Sequence, residues 1–384
     1  MTNKKKTSYS NSLISPIYQT ATYYFQDTAK IIKQHEQEIK LGRYGRYDNP
    51  SWLEVEEKVA ALDKMENALI FPSGMSAITT SLLTFLGQDD KLLYTGLTYR
   101  NIRKLCMEML SKIGITAVPL YQSDTKQFED QFKAHYSEDV RLVFIEMPSN
   151  PHLYLVDIAM IKEQLRDDTL LIVDSTLSTP INLQQVDFGA DLIIHSATKY
   201  MAGHGDILAG TVSGSADLIE QIRNYRNVTG AIVDPNTAFF LNRGMKTLPL
   251  RMNHLNEVGL KLAGYLEAHD KVRQVYYTAL PSHPHHALAK KYLTDHGGVV
   301  SFELEAGEKE TTLFVDALQI PFMGTNFGLA DSMIEQCAIF TYYQLTPQER
   351  AEIGITDSLV RYSIGYEDDV EDIIQDLEQA LAIL

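Results

Sequence analysis

Residues 170–200 read LLIVDSTLSTPINLQQVDFGADLIIHSATKY. Two apolar runs stand in it, Leu170–Val173 and Leu192–Ile194, and neither alternates between apolar and polar positions. Strands covered on both faces need that pattern, because each side chain meets a layer of helices. Each run ends on residues with chemistry. Asp174 follows the first, and Ser196, Thr198 and Lys199 follow the second. Working outward, Ala68–Phe71, Leu92–Tyr94, Ala117–Leu120 and Leu142–Ile145 repeat the pattern. Between them, Ser76–Leu86 and Asn101–Ile113 carry helical periodicity. The alternation predicts an α/β fold built on a mostly parallel, doubly wound sheet.

The rest of the 384 residues falls around that block. Residues 1–49 have no long periodic run and read as an arm, with one short helix near Asp27–Leu41. The α/β domain takes 50–244. A smaller α+β domain takes 245–384, after a helical pattern from Asn236 that breaks near Gly244 and resumes through His269. Val299–Leu304, Ala338–Tyr343 and Val360–Ile364 alternate like strands of a partly solvated antiparallel sheet, and Asp368–Leu384 closes as an amphipathic helix.

Charge narrows the partners. Asp and Glu total 50 against 34 Lys and Arg, a formal charge of −16. Phosphate backbones call for a basic face, so nucleic acid is not an expected partner. No apolar run is long enough for a membrane span, and Met1–Ser10 lacks the apolar core of a signal peptide. Cys106 and Cys337 show no metal-type spacing, so no metal is expected, and a reducing cytoplasm suits them.

In an open α/β sheet, ligands sit at the carboxyl ends of the strands. Phe71-Pro72-Ser73-Gly74-Met75-Ser76 runs from strand through turn to helix, where free N–H groups can hold an anion, or Ser73 can simply cap the helix. Asp174 could bind a metal, a ribose hydroxyl or a protonated ring nitrogen, or cap a helix. Ser196, Thr198 and Lys199 can hold a phosphate and set an amine beside it, and lysine forms Schiff bases when its pKa is lowered. Together the three pieces suit pyridoxal 5′-phosphate (PLP).

With those residues read, the chain resembles the Cys/Met-metabolism family of PLP enzymes. The matching stretches are YGRYDNP (44–50), FPSGMSAI (71–78), LTYR (97–100), EMPSNP (146–151), VDSTLSTP (173–180), HSATKYMAGHGD (195–206), LPSHP (280–284), GGVVSFEL (297–304) and LVRYSIGYED (359–368). The resemblance implies the type I fold of PLP-dependent transferases, with 50–244 binding the cofactor. It implies Lys199 as the Schiff-base lysine and proton carrier, and Asp174 as partner of the pyridinium nitrogen. Ser196, Thr198, Gly74 and Met75 would hold the phosphate, and Asn150 the ring hydroxyl. Tyr99 would stack on the ring and serve as acid or base near the leaving group. Arg361 would grip the carboxylate of an amino-acid substrate. Tyr44 and Arg46 would reach the phosphate of a neighbouring subunit, giving a homodimer with shared sites, paired into a tetramer.

The implied reaction is elimination or replacement at Cγ of a sulfur-containing or O-acylated amino acid, of the cystathionine γ-synthase or γ-lyase type. A β-lyase, a methionine γ-lyase, an O-acetylhomoserine sulfhydrylase and a specialised γ-replacement enzyme are the alternatives. A family member that has lost catalysis is disfavoured by retention of Lys199, Asp174, Tyr99 and Arg361. One loop departs from the family. Thr325 and Asn326 stand where synthases and lyases carry Glu and Ser, removing a carboxylate partner for a distal ammonium. Leu97 replaces the Cys typical of methionine γ-lyases. Ser175, Thr176, His204 and Asp206 read as structural, Cys106 as core, and His283, His285 and His286 as a solvated loop.

Overall fold

A computed structural model describes residues 12–35 and 43–384. A short helix, α1, covers Thr28–His35; the expected extension to Leu41 lies outside the described residues. Helix α2, Pro50–Leu62, starts at an Asn49 cap that accepts from the Ser51 N–H.

The larger sheet has seven strands: β1 (Asn67–Phe71), β2 (Lys91–Thr95), β3 (Thr116–Leu120), β4 (Val140–Glu146), β5 (Leu170–Asp174), β6 (Leu192–His195) and β7 (Gly210–Gly214). Their order is β1-β7-β6-β5-β4-β2-β3. The pairs among β2 to β6 are parallel, while β7 runs antiparallel to both β1 and β6. Strand β7, GTVSG, escapes the sequence reading because it has no apolar run. Small residues are required there: a Cβ on Gly210 would lie 2.2 Å from the Ser73 carbonyl oxygen. The helix expected at 101–113 is instead Arg100–Lys104, a wider π-type turn at Leu105–Met109 and a tight turn at Leu110–Ile113.

The second sheet adds β8 (Val272–Tyr276), β9 (Val299–Leu304), β10 (Phe322–Met323), β11 (Met333–Gln336) and β12 (Leu359–Ser363), ordered β10-β11-β12-β9-β8. Two expectations fail here. Ala338–Tyr343 is a turn closed by Tyr342 N–H to the Cys337 carbonyl, and the strand lies before it, hidden by the polar pair Glu335-Gln336. The sheet is also covered on both faces at β9 and β12. Helices Leu248–Glu267 and Val370–Leu381 share one apolar core with it. On its other side, Ser301 Oγ donates to the Pro151 carbonyl at 2.7 Å, bringing the loop after β4 against it.

The expected solvated loop at His283–His286 is wrong for two of its histidines. His283 and His285 are buried, because their rings serve backbone groups of the loop after β4. His283 Nδ1 accepts from the His285 N–H while Nε2 donates to the His152 carbonyl. His285 Nδ1 accepts from the Leu155 N–H.

Candidate active site

Strands β4 and β5 end side by side, with Glu146 opposite Asp174 in register. Both carboxyls are buried. Burial raises Asp174 above the ordinary carboxylate range, against two hydrogen bonds from Thr176, N–H at 3.0 Å and Oγ1 at 2.5 Å. Burial and the adjacent Asp174 charge push Glu146 up to about 7. Thr176 Oγ1 also accepts from the Ser196 N–H at 2.8 Å, tying the ends of β5 and β6 together. Ser175 and Thr176 thus shape the turn, as expected.

Glu146 is a residue the sequence reading missed, although it opens the quoted EMPSNP stretch. Its carboxylate accepts from Thr98 Oγ1, from the Tyr99 N–H at 2.8 Å and from the Asn150 N–H at 3.1 Å. One side chain therefore positions two expected site residues. Tyr99 itself is 43% exposed, and its hydroxyl accepts from Asn101 Nδ2.

The turn expected to hold an anion lies where helix α3, Gly74–Phe85, begins. Ser73 Oγ accepts from the Ser76 N–H, and among the described residues no acceptor takes the N–H groups of Gly74 and Met75. A Cβ on Gly74 would sit 2.8 Å from the Ser196 Cβ, so only glycine lets these two loops meet. The Thr198 hydroxyl is engaged elsewhere, accepting from the Ala209 N–H at 2.9 Å and donating to its carbonyl at 3.2 Å. Behind the sheet edge, Asp63 accepts from Ser213 Oγ and pairs with His195 Nε2 at 2.9 Å. Burial opposes charge on His195, yet Asp63 holds its pKa above the ordinary value.

Lys199 Nζ donates to Asn326 Oδ1 and lies 4.8 Å from the centre of the Phe327 ring. Burial, reinforced by the Arg361 charge, brings its pKa down to about 8, with Glu335 opposing. Arg361, on β12, is buried beside it. Its Nη1 bonds Glu335 Oε1 at 2.8 Å and Asn150 Oδ1 at 3.0 Å, and Nη2 reaches the Asn326 carbonyl at 3.3 Å. Lys199, Asn326, Arg361 and Asn150 therefore form one connected group. Thr325 lies exposed next to it. Tyr44 and Arg46 are not linked to this group: Arg46 Nη1 donates to the Asn227 carbonyl and its guanidinium packs on Tyr44 and Tyr47. Glu335 and Phe327 also went unread, the first because its strand was misplaced.

Comparison with known proteins extends these observations. The family described as Cys/Met metabolism PLP-dependent enzyme matches residues 1–382. Cystathionine gamma-synthase 1, chloroplastic, of Arabidopsis thaliana is 42% identical over 376 residues, covering 97% of this chain, which spans 65% of that protein's length. Probable cystathionine gamma-synthase 2 of the same plant is 41% identical over 97% of this chain and 89% of its own. An L-methionine gamma-lyase of Fusobacterium nucleatum subsp. polymorphum is 36% identical over 96% and 93%. The crystal structure of cystathionine gamma synthase from Xanthomonas oryzae pv. oryzae, in complex with aminoacrylate and cysteine, superposes with a TM-score of 0.90 at 31% identity, covering 98% of this chain and 95% of that one. A mixed sheet with helices, an amine of lowered pKa at its edge and this match across nearly the whole chain agree, and the chain belongs to the Cys/Met metabolism family of PLP-dependent enzymes.

Proposed function

We propose that this enzyme eliminates and replaces a group at Cγ of an O-acylated or sulfur-containing amino acid, in the manner of a cystathionine γ-synthase. The observation that carries the reading is half-buried Lys199, its pKa lowered to about 8 and its amine bonded to Asn326, which Arg361 also holds. An amine of that pKa gives up and regains a proton near neutrality, as repeated proton transfers at Cα and Cβ demand. Higher identity to the plant synthases, 41–42%, than to the methionine γ-lyases, 33–36%, supports replacement.

The residues present fit the cofactor. The Gly74–Ser196 contact and the open N–H groups of Gly74 and Met75 suit a phosphate, with Ser196 Oγ as a further donor. Buried Asp174, beside a second carboxyl and with no cation bonded to it among the described residues, suits a protonated ring nitrogen. When bound, PLP supplies an electron-withdrawing ring that stabilises negative charge at the substrate carbons. Asn150 spends its carbonyl on Arg361 and keeps Nδ2 to donate to the ring hydroxyl. Arg361 holds the substrate carboxylate, and Tyr99, exposed at its loop, covers the ring and meets the leaving group.

The test is incubation with an O-acylhomoserine and cysteine, with methionine alone as control, followed by product analysis. A thioether from the first pair is expected. Absence of thioether, with 2-oxobutyrate released from methionine, would replace this reading by a γ-lyase.

The minimal unit is a dimer, itself paired into a tetramer, in which Tyr44 and Arg46 complete the phosphate site of the neighbouring subunit. Leu13, Tyr24, Leu208 and Val228 are exposed apolar side chains of the kind that contact between subunits would cover. Lys199→Ala and Arg46→Ala chains, each nearly inactive, should regain activity when co-refolded; no recovery in demonstrated hybrids would refute sharing. Two free, buried cysteines suit a reducing compartment such as the cytoplasm, and no helix among the described residues is long and apolar enough to cross a membrane.

A further inference from the structure

Glu335 and Arg361 face each other in register on the antiparallel strands β11 and β12, and both are almost fully buried, at 1% and 2% exposure. Glu335 uses both oxygens. Oε1 takes Arg361 Nη1 at 2.8 Å and Oε2 accepts from Thr341 Oγ1 at 2.5 Å. The guanidinium is just as informative. Nη1 has two hydrogens and serves two acceptors, Glu335 and Asn150. Nη2 serves one, the Asn326 carbonyl, and keeps a second hydrogen. Nε, buried, has no partner among the described residues. A buried donor without an acceptor is costly, and guanidinium donors bind carboxylates best in adjacent pairs. Nε–H lies on the same side of the guanidinium plane as Nη2, so these two nitrogens present one edge, on which Nε–H is unused.

We propose that Glu335 is a positioning residue for substrate recognition: it locks Nη1 so that the Nε–Nη2 edge of Arg361 faces the site and receives the substrate's α-carboxylate. This rests on the reading of Arg361 given above. The fixed register makes the lock rigid, since Glu335 cannot shift without breaking the β11–β12 ladder. Each Glu335 oxygen already holds a partner and the group is almost fully buried, so it is not placed to meet a distal ammonium of the substrate. Its role is confined to the α-carboxylate end, and it leaves the open Thr325 position to the distal end.

The probe is L-norleucine, an α-amino acid with no leaving group at Cγ, titrated calorimetrically into the holoenzyme. Glu335→Ala should weaken norleucine binding about tenfold or more, with cofactor content unchanged, since removing one partner of a buried charge pair releases the other. Glu335→Gln, which still accepts from Nη1 and can still bond Thr341, should stay within about threefold of the parent, because a single retained hydrogen bond preserves the orientation. Thr341→Val, a milder change that guards against misfolding of the first variant, should raise KM and leave kcat. Unchanged or tighter binding in Glu335→Ala overturns the proposal, and so does equal loss in the Ala and Gln variants. Unchanged binding in Arg361→Ala overturns the placement of the carboxylate, and this proposal with it.

Discussion

Acid should unlock the histidine cluster that joins the two sheets, and His283→Gln tests it. In His283, Nδ1 accepts from the His285 N–H at 3.1 Å, which forces Nε2 to be the donor to the His152 carbonyl at 3.0 Å. A second ring proton would therefore point at another N–H. His152 Nε2 reaches the Gly354 carbonyl at 3.0 Å, with its ring stacked 5.1 Å from that of Tyr154. Burial brings the pKa of both His152 and His283 down to about 4 from the ordinary 6.5. The unfolded chain takes up these protons below pH 6.5, and the folded chain does so only near pH 4. Stability from the cluster is thus complete above pH 6.5 and is lost as the pH falls to 4. At about 1.4 kcal/mol per pH unit, that interval amounts to about 3 kcal/mol for each ring. Denaturant unfolding, followed by the fluorescence of Trp52, the single tryptophan and a buried one, reads the effect. At pH 7 His283→Gln should be the less stable protein, having lost the ring's hydrogen bonds. The gap to the parent should shrink by about 3 kcal/mol by pH 4.5, because the variant has no ring there to protonate. A gap that stays constant across this range would show that His283 does not titrate as the geometry requires.

Borohydride reduction of the holoenzyme should place the pyridoxyl group on Lys199 by peptide mapping; label on another lysine would refute the assignment. Glu146→Gln should retain PLP but lose at least about tenfold in kcat/KM, since an amide oxygen cannot replace a carboxylate accepting from Thr98, Tyr99 and Asn150 together. Near-parental turnover would make Glu146 a mere strand end. Thr325→Glu should improve substrates bearing a distal ammonium relative to those without one, read as a ratio of kcat/KM values; an equal effect on both would remove Thr325 from the substrate pocket.

Six strands of the larger sheet were legible because each carries an uninterrupted apolar run; five are buried over most of their length, as a doubly covered strand requires, while the edge strand β3 is only partly covered. Strand β7 was not, since Gly210 answers to a close approach by Ser73 and Gly214 to one by Leu192 and Asp191, demands set by other parts of the chain. The site split the same way. Lys199, Asp174 and Gly74 stand at strand ends or turns and announce themselves locally. Glu335 acquires its meaning from Arg361, 26 positions later, through a pairing that only the folded sheet defines. The buried histidines show the converse: flanked by prolines, they have the local look of a solvated turn, and their partners, Leu155 and the His152 carbonyl, are far off in sequence.

The segment bearing Lys199 connects β6 to the antiparallel β7, and its neck is stitched where Thr198 and Ala209 exchange hydrogen bonds. On either side of the lysine the backbone is pinned as well, its N–H to the Ser196 carbonyl at 3.0 Å and its own carbonyl by the Gly203 N–H at 2.8 Å. The amine therefore has no loop motion to ride on. Whatever distance it covers from Asn326 comes from rotation about the bonds of its own side chain. In the proton-carrying role proposed for it, Lys199 is a short-range device on a stationary base, and its reach is set by the length of one side chain.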